Sequence, residues 1–178
     1  MKTKRTSLQE VLAETGQMIL DGSMSTALEN LGVNLNTKLW TARALADCPE
    51  KIKQVHRDYF KAGADCGISC SYQATVPGLT AIGYSEKEAE NLIVRSVTLL
   101  NEAREEWWQE EGERSARVWP LSLASVGPYG AYLADGSEYR GNYGVSGEVL
   151  REFHRRRMEL LWEAGADLLL IETQPSLE

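Results

Sequence analysis

Short apolar runs alternate along this chain with longer amphipathic stretches. The apolar runs predict four buried β-strands, at residues 18–23, 66–75, 118–127 and 168–173. The stretches between them place apolar residues three and four positions apart, which predicts helices at residues 48–63, 85–111 and 146–165. Strands that alternate with helices in this way build a parallel sheet through right-handed crossovers, so the pattern predicts an α/β fold.

Local signals at the helix ends agree with this pattern. The segments Lys-Ala-Gly-Ala-Asp at 61–65 and Glu-Ala-Gly-Ala-Asp at 163–167 each close a helix and open a strand. Gly63 and Gly165 fall where the end of a helix favours a left-handed residue. The helix at 85–111 opens with Ser-Glu-Lys-Glu, which has the spacing of a capping box. The chain therefore contains a repeated helix–turn–strand unit.

Two architectures are compatible with such units, an open doubly wound sheet and a (β/α) barrel. An open sheet that binds a nucleotide favours a glycine-rich turn after its first strand. The segment 21–32, DGSMSTALENLG, has one glycine in that turn and neither a GxGxxG nor a GxxxxGK motif. The nucleotide-binding fold is therefore disfavoured, although an open sheet remains an alternative.

Polar residues collect where the predicted strands end. They are Asp21, Ser23, Ser69, Ser71, Tyr72, Gln73, Ser125, Tyr129, Glu172 and Thr173. In a barrel, the carboxyl ends of the strands surround the active site. The loop 127–147, which follows the third predicted strand, contains six glycines and four tyrosines. Loops of this length at that face are usually functional.

The number of predicted strands sets the domain prediction. A complete barrel has eight strands and roughly 200 residues or more. This chain has 178 residues and four predicted strands. We therefore expect residues 1–178 to form one incomplete domain, the N-terminal half of a (β/α)₈ TIM-type barrel with parallel strands.

Composition and charge narrow the classes of partner. Apolar residues make up 43% and charged residues 25%, which is typical of a globular protein. A net charge of −7 argues against a nucleic-acid partner or an anionic membrane surface. The basic N-terminus has no apolar segment behind it, and no apolar run reaches the roughly 18 residues of a spanning helix. We predict a cytoplasmic protein that binds neither nucleic acid nor membrane.

One basic cluster could still form a local patch. Arg155, Arg156 and Arg157 are consecutive in the helical stretch 146–165. They share that stretch with glutamates, Glu152 and Glu159 among them. A solvated face of mixed charge is the favoured interpretation.

Four blocks of the chain resemble the homocysteine S-methyltransferase family. They are ILDGSMSTALE, GADCGISCSYQAT, SVGPYGAYLADGSEYRGNY and AGADLLLIETQP, in this order from about residue 18 to the end. The likeness is to enzymes that use S-methylmethionine or S-adenosylmethionine. The resemblance implies a zinc-dependent (β/α)₈ barrel in which the zinc-bound thiolate of homocysteine attacks the methyl group of a sulfonium donor, giving methionine.

The resemblance also implies roles for residues of this sequence. Asp21 and Gly22 match an Asp-Gly pair beside the homocysteine, and Glu172 matches a glutamate that meets the homocysteine ammonium group. Ser69 falls near the substrate, at a position where threonine is common in the family. Three residues of the long loop are placed on the donor side, namely Asp135, Tyr139 and Arg140. No residue of the chain is assigned as catalytic.

The zinc ligands implied by the resemblance are three cysteines, one after a later strand and an adjacent pair near the C-terminus. Neither motif occurs in this sequence, whose three cysteines are Cys48, Cys66 and Cys70. Cys66 and Cys70 do not align with the ligands, and we expect buried reduced thiols. Cys48 is expected to cap or pack at a helix start. We therefore predict that this chain binds no metal and is inactive by itself.

The two histidines are not expected to belong to the site. His56 and His154 lie within amphipathic helices, and we expect surface or packing residues remote from the strand ends.

The main alternative to a methyltransferase is a non-catalytic half-barrel that assembles with itself or with a separate C-terminal chain, because an open sheet edge favours a partner. A methyltransferase that uses a betaine or folate donor is a weaker alternative, and the YLADGSEYRG segment argues against it.

Overall fold

A computed structural model of the protein describes residues 7–35 and 40–176. The α-helices are α1 (Leu8–Thr15), α2 (Met24–Asn30), α3 (Trp40–Asp47), α4 (Pro49–Ala62), α5 (Val76–Ala81), α6 (Glu86–Glu110), α7 (Tyr129–Leu133) and α8 (Gly147–Glu163). The strands are β1 (Cys66–Ile68), β2 (Leu121–Val126) and β3 (Leu168–Ile171). Short 3₁₀ turns occupy Gly112–Arg114 and Ser137–Tyr139.

The strands form one parallel sheet in the order β1-β2-β3. Cys66 pairs with Leu121, and Leu123 pairs with Leu168. Each strand is joined to the next through helices, as in a crossover connection. The predicted α/β fold with parallel strands is confirmed, and its open sheet is consistent with half of a barrel.

The segment 18–23, predicted as the first strand, does not form one. It runs beside β1, where the backbone N–H of Asp65 donates to the carbonyl of Ile19 at 2.8 Å. In return, the N–H of Ile19 donates to the Asp65 carboxylate, and the N–H of Ile68 donates to Asp21 Oδ2, both at 2.8 Å. Carboxylates therefore take positions that backbone carbonyls would hold in a ladder. Asp21 is fixed at the end of β1 by this arrangement.

Helix α6 is the centre of the helical layer and packs against α4 and α8. Its N-terminus has the predicted capping box, because the N–H of Ser85 donates to Glu88 at 2.8 Å and the N–H of Glu88 donates to Ser85 Oγ at 3.3 Å. The helix buries an apolar stripe that includes Leu92, Ile93 and Leu100. This stripe covers the sheet and leaves the carboxyl ends of the strands accessible to the loops that follow them.

The ends of two other helices also agree with the sequence. Gly63 after α4 has φ +116°, and Gly165 after α8 has φ +92°. Both values lie in the left-handed region that glycine adopts without a steric penalty. Within the described parts of the chain, no helix combines the length and the apolar character that crossing a membrane requires.

Candidate functional site

Two carboxylates lie at the carboxyl end of the sheet. Asp21 lies within the segment 18–23 beside β1, and its side chain is 2% exposed. Glu172 directly follows β3, and its backbone N–H donates to the carbonyl of Val126 at 3.3 Å. Its Oε1 accepts a hydrogen bond from the hydroxyl of Ser125. The structure thus places both predicted carboxylates at the face where the sequence analysis expected a site.

Burial controls the protonation of Asp21. Burial raises the pKa of its carboxyl from 3.8 to about 7; desolvation is the main cause, the charge of Glu172 adds a smaller increase, and the hydrogen bond from the N–H of Ile68 opposes the shift. Asp21 Oδ1 is buried and has no hydrogen-bond partner among the described residues. A buried carboxylate of this kind is stabilised by a proton or by a cation. The pair can therefore bind a small cationic group.

Three serine hydroxyls connect the strand ends. Ser69 Oγ and Ser71 Oγ are 2.6 Å apart, and Ser71 Oγ donates to the carbonyl of Ser125 at 2.7 Å. The N–H of Ser125 donates to Ser69 Oγ at 3.1 Å. This network holds Ser125, whose own hydroxyl orients Glu172. Ser69 is buried and engaged with protein groups, and its contact with a substrate stays a prediction.

Gly22 allows α4 to approach the segment that carries Asp21. A Cβ atom at Gly22 would lie 2.8 Å from the Oη of Tyr59, which is closer than real Cβ contacts. The Tyr59 hydroxyl donates to the carbonyl of Ser23 at 3.0 Å. A larger residue at Gly22 would therefore require the Tyr59 ring to shift from this position. The predicted contact of Gly22 with a substrate stays a prediction.

The backbone after Glu172 adopts an unusual conformation. Thr173 has φ +55°, in the left-handed region, although a β-branched residue is disfavoured there. Its side chain forms a hydrogen bond with the phenol of Tyr72, which follows β1. Strained residues of this kind cluster at functional sites because the surrounding structure must hold them. The strain supports a functional role for the end of β3.

The residues of the loop 127–147 lie in two different environments, one exposed and one packed against α8. Asp135 is exposed, and its Oδ1 accepts a hydrogen bond from the N–H of Ser137 at 2.9 Å. Tyr139 is 74% exposed, and Arg140 is exposed as well. Tyr139 and Glu172 both act electrostatically on Tyr72, so this part of the loop lies at the same end of the sheet. The donor-side roles of the three predicted residues stay predictions.

The other tyrosines of the loop pack around one phenylalanine of α8. The rings of Tyr129 and Tyr132 lie 4.7 Å and 5.3 Å from that of Phe153. The ring of Tyr143 lies 5.4 Å from that of Tyr129 and is tilted by 54° relative to it. For these three tyrosines, the structure therefore shows packing within the loop and against α8.

Two residues, Arg157 and His56, lie in environments that differ from those expected from the sequence. Arg155 and Arg156 do pair with glutamates, Arg155 with Glu152, but Arg157 is buried. The Arg157 guanidinium donates to the carbonyl of Gly127 at 2.6 Å and to that of Tyr72 at 3.3 Å. It therefore ties together the loops after β1 and β2. The prediction of a solvated face is wrong for Arg157, whose burial follows from contacts between distant elements.

His56 is the second of these residues. It is 1% exposed, and its Nδ1 lies 4.0 Å from Asp21 Oδ2. The expectation that it is remote from the strand ends is therefore wrong. A signal in the sequence could have found its burial, because His56 lies four residues from both Ile52 and Phe60, on the buried stripe of α4. His154 is half-buried, and its Nδ1 lies 2.7 Å from the Arg157 guanidinium.

The described cysteines do not fit a zinc site. Cys66 and Cys70 are buried thiols outside any disulfide, as predicted, while Cys48 packs against the core without capping α4. Burial, with a smaller effect of Asp21, raises the pKa of the Cys66 thiol to about 12. Zinc requires the thiolate form. Within residues 7–35 and 40–176, no three His, Cys, Asp or Glu side chains are arranged to hold a metal ion.

Comparison with known proteins gives a consistent result. The sequence model of the homocysteine S-methyltransferase family matches residues 18–178. The chain is 56% identical over 170 residues to homocysteine S-methyltransferase YbgG of Bacillus subtilis, covering 96% of this chain and 54% of that protein. It is 48% identical over 169 residues to the homocysteine S-methyltransferase of Escherichia coli, covering 95% of this chain and 54% of the relative. The chain thus spans about half the length of the curated relatives it matches.

Solved structures agree with the sequence comparison. The metallated form of the homocysteine methyltransferase MmuM from Escherichia coli superposes with a TM-score of 0.85 at 49% identity, over 93% of this chain and 57% of that structure. The oxidized form of the same protein gives a TM-score of 0.89 at 48% identity, over 95% of this chain.

Proposed function

The chain belongs to the homocysteine S-methyltransferase family, and from this we propose that it supplies the homocysteine-binding part of a methyltransferase site. The observation that carries the proposal is the position of Asp21 and Glu172 at one end of the sheet, with Asp21 Oδ1 unpartnered among the described residues. The proposed substrates are L-homocysteine and a sulfonium donor, S-methylmethionine or S-adenosylmethionine. The proposed product is methionine.

The α-ammonium group of homocysteine fits the two carboxylates. An ammonium group has three N–H donors and accepts nothing, whereas ionised carboxylates only accept. Hydrogen bonds between such charged partners are about twice as strong as those between neutral groups. The positive charge also compensates the burial of Asp21, so we expect its pKa to fall from about 7 when the ligand binds. Ser125 holds Glu172 in place for this contact.

The proposed transfer requires little further chemistry from the protein. A sulfur lone pair of homocysteine attacks the methyl carbon, the bond from that carbon to the donor sulfur breaks, and the donor leaves as a neutral thioether. The homocysteine thiol loses its proton to the solvent in the process. The residues of this chain contribute by anchoring the ammonium group, which fixes where the thiol can reach and aligns it for in-line attack.

Zinc would supply the activation of the thiol by holding it as a thiolate. We assign no zinc ligand to Cys48, Cys66 or Cys70, because burial and spacing do not fit them for it. No step of the transfer is therefore assigned to a metal held by these residues. We propose that the 178-residue chain binds homocysteine and transfers no methyl group by itself.

Titration and an activity assay test this proposal on the same preparation. We expect the chain to bind L-homocysteine saturably under reducing conditions, because the carboxylate pair is already in place. We expect no methyl transfer above background from either sulfonium donor, with or without added Zn²⁺. Absence of homocysteine binding would contradict the proposed substrate site. Sustained turnover with one bound zinc per chain would contradict the proposed inactivity.

The open edge of the sheet favours one alternative, a half-barrel that assembles with a second copy. Ile171 at the end of β3 and Trp162 on α8 are each 51% exposed. Ile171 also lines a cavity of about 840 Å³, which lies between α8 and the segments 142–145 and 174–176. Exposed strand edges with apolar side chains favour pairing with another chain.

Sedimentation measures this alternative directly. If a second copy covers β3, the weight-average mass of the chain should rise with concentration toward that of a dimer. The Ile171→Lys variant should reduce this association, because a charge at the exposed edge opposes pairing. The alternative is rejected if the unmodified chain sediments as a stable monomer at high concentration.

A further inference from the structure

His56 is buried directly behind the carboxylate of Asp21. Its Nδ1 lies 4.0 Å from Asp21 Oδ2, and α4 holds the ring on the stripe between Ile52 and Phe60. Among the described residues, neither ring nitrogen of His56 has a hydrogen-bond partner, and the same is true of Asp21 Oδ1. The unpartnered His56 ring therefore faces the Asp21 carboxylate, and the gap between Nδ1 and Oδ2, which already accepts from the N–H of Ile68, is about 1 Å too wide for a hydrogen bond.

The two groups do not form an ion pair, although their distance is compatible with one. Burial lowers the pKa of His56 to about 3, so the imidazole is neutral at physiological pH. A neutral imidazole carries one N–H donor and one acceptor nitrogen. A buried donor without a partner costs free energy, which favours any small movement that brings the ring to the carboxylate.

We propose that His56 is a positioning residue for Asp21: its ring N–H closes on Asp21 Oδ2 when an ammonium group binds, and holds the carboxylate ionised and oriented toward the ligand. This inference rests on the proposed function, because it takes the homocysteine ammonium as the bound cation. It assigns His56 a role in ligand binding, although the residue touches no ligand atom.

The groups that surround Asp21 leave this donor role to His56. From β1, the N–H of Ile68 already donates to Asp21 Oδ2, and the Cys66 thiol is protonated at neutral pH because burial raises its pKa to about 12. From α4, Tyr59 also faces Asp21, but its hydroxyl donates to the carbonyl of Ser23. From beyond β3, Glu172 adds a negative charge, which opposes ionisation of Asp21.

The proposal predicts that ligand binding releases a proton. In the free chain, Asp21 is partly protonated near pH 7. In the complex, the ammonium group and the His56 N–H both favour the carboxylate. Binding should therefore release a fraction of a proton per homocysteine at pH 7, and the release should fall as the pH rises from 7 to 8 and Asp21 ionises in the free chain.

Calorimetric titration with L-homocysteine in phosphate and in Tris measures this release, because the two buffers differ in ionisation enthalpy. We expect His56→Phe to bind homocysteine about tenfold more weakly at pH 7 and to release fewer protons, since the ring N–H is lost. We expect His56→Asn, whose side-chain N–H₂ lies near the position of Nδ1, to recover most of the affinity and of the proton release. Urea unfolding of both variants reports any structural effect separately.

The His56 variants give results that separate the inference from the proposed function. A His56→Phe variant that folds and keeps both affinity and proton release overturns the inference, as does a folded His56→Asn variant that recovers neither. If the phenylalanine variant does not fold, nitrogen-15 shifts of the His56 ring in the unmodified chain decide. The inference requires an Nδ1–H signal that moves when homocysteine is added, and an unmoved signal overturns it. If the unmodified chain binds no homocysteine, the proposed function itself fails.

Discussion

The Glu172→Gln variant should bind L-homocysteine about 10 to 100 times more weakly than the unmodified chain at pH 7, because a hydrogen bond to a charged group contributes about 1.5–3 kcal/mol. Glutamine keeps the size of the side chain and an oxygen that can accept from the Ser125 hydroxyl. The fold around β3 should therefore be unchanged. The loss in affinity then reports the missing negative charge at the ammonium group.

The control for this prediction is the same change at a surface position. Glu163 is exposed at the C-terminal end of α8, away from the carboxyl ends of the strands. The Glu163→Gln variant therefore removes one negative charge outside the proposed site. Its homocysteine affinity should match that of the unmodified chain. Equal affinity of the Glu172→Gln and Glu163→Gln variants in calorimetric titration would show that Glu172 does not bind the ligand.

Asp21→Asn should raise the stability of the free chain at neutral and alkaline pH while weakening homocysteine binding. The pKa of Asp21 is about 7 in the folded chain and 3.8 as its ordinary value. Between these values the folded state keeps a proton that the unfolded state has lost, so the free energy of unfolding falls as the pH rises. The fall is complete just above pH 7 and amounts to at most about 4 kcal/mol. Asparagine cannot ionise, so the variant does not lose this stability as the pH rises.

Urea unfolding at pH 4, 6 and 8 measures the effect of Asp21→Asn. The variant should match the unmodified chain at pH 4 and exceed it by an increasing margin at pH 6 and 8. Its amide oxygen can still accept from the N–H of Ile68, so no large loss is expected at low pH. Asp58→Asn, on the exposed side of α4, should show no such dependence. A pH-independent destabilisation by Asp21→Asn would contradict the account.

A gain in stability that accompanies a loss of binding is expected where a residue serves a ligand. Natural sites often retain buried charges that reduce stability because function requires them. Asp21 is such a case in this structure, since its carboxylate is buried and opposed by Glu172. The opposite result, in which Asp21→Asn loses both stability and binding, would indicate a structural carboxylate.

Several features of the fold could be predicted because they depend on neighbouring residues. The capping box of α6 and the left-handed glycines after α4 and α8 are set by local backbone geometry. The positions of Asp21 and Glu172 at the sheet end follow from apolar runs that stop at a polar residue. Parallel strands bring their carboxyl ends to one face, and the segment 18–23 reaches that face by running beside β1, although it forms no strand itself.

Other features depend on contacts between elements that are distant in the sequence. The segment 18–23 has the composition of a strand, but the Asp21 and Asp65 side chains replace part of its ladder. The hydroxyl of Ser125 reaches Glu172 across 47 residues, and Arg157 reaches the carbonyl of Tyr72 across 85. Periodicity indicates that such side chains are buried, but it does not indicate which partner they meet.

The central claim is that Asp21 and Glu172 bind the α-ammonium group of homocysteine. The most direct measurement compares the affinity of the chain for L-homocysteine and for 4-mercaptobutyrate, which has the same carboxylate and thiol but no ammonium group. The account predicts that homocysteine binds at least about tenfold more tightly, a difference of about 1.4 kcal/mol, and that the double variant Asp21→Asn, Glu172→Gln removes this preference. Equal affinities of the unmodified chain for the two compounds would contradict it.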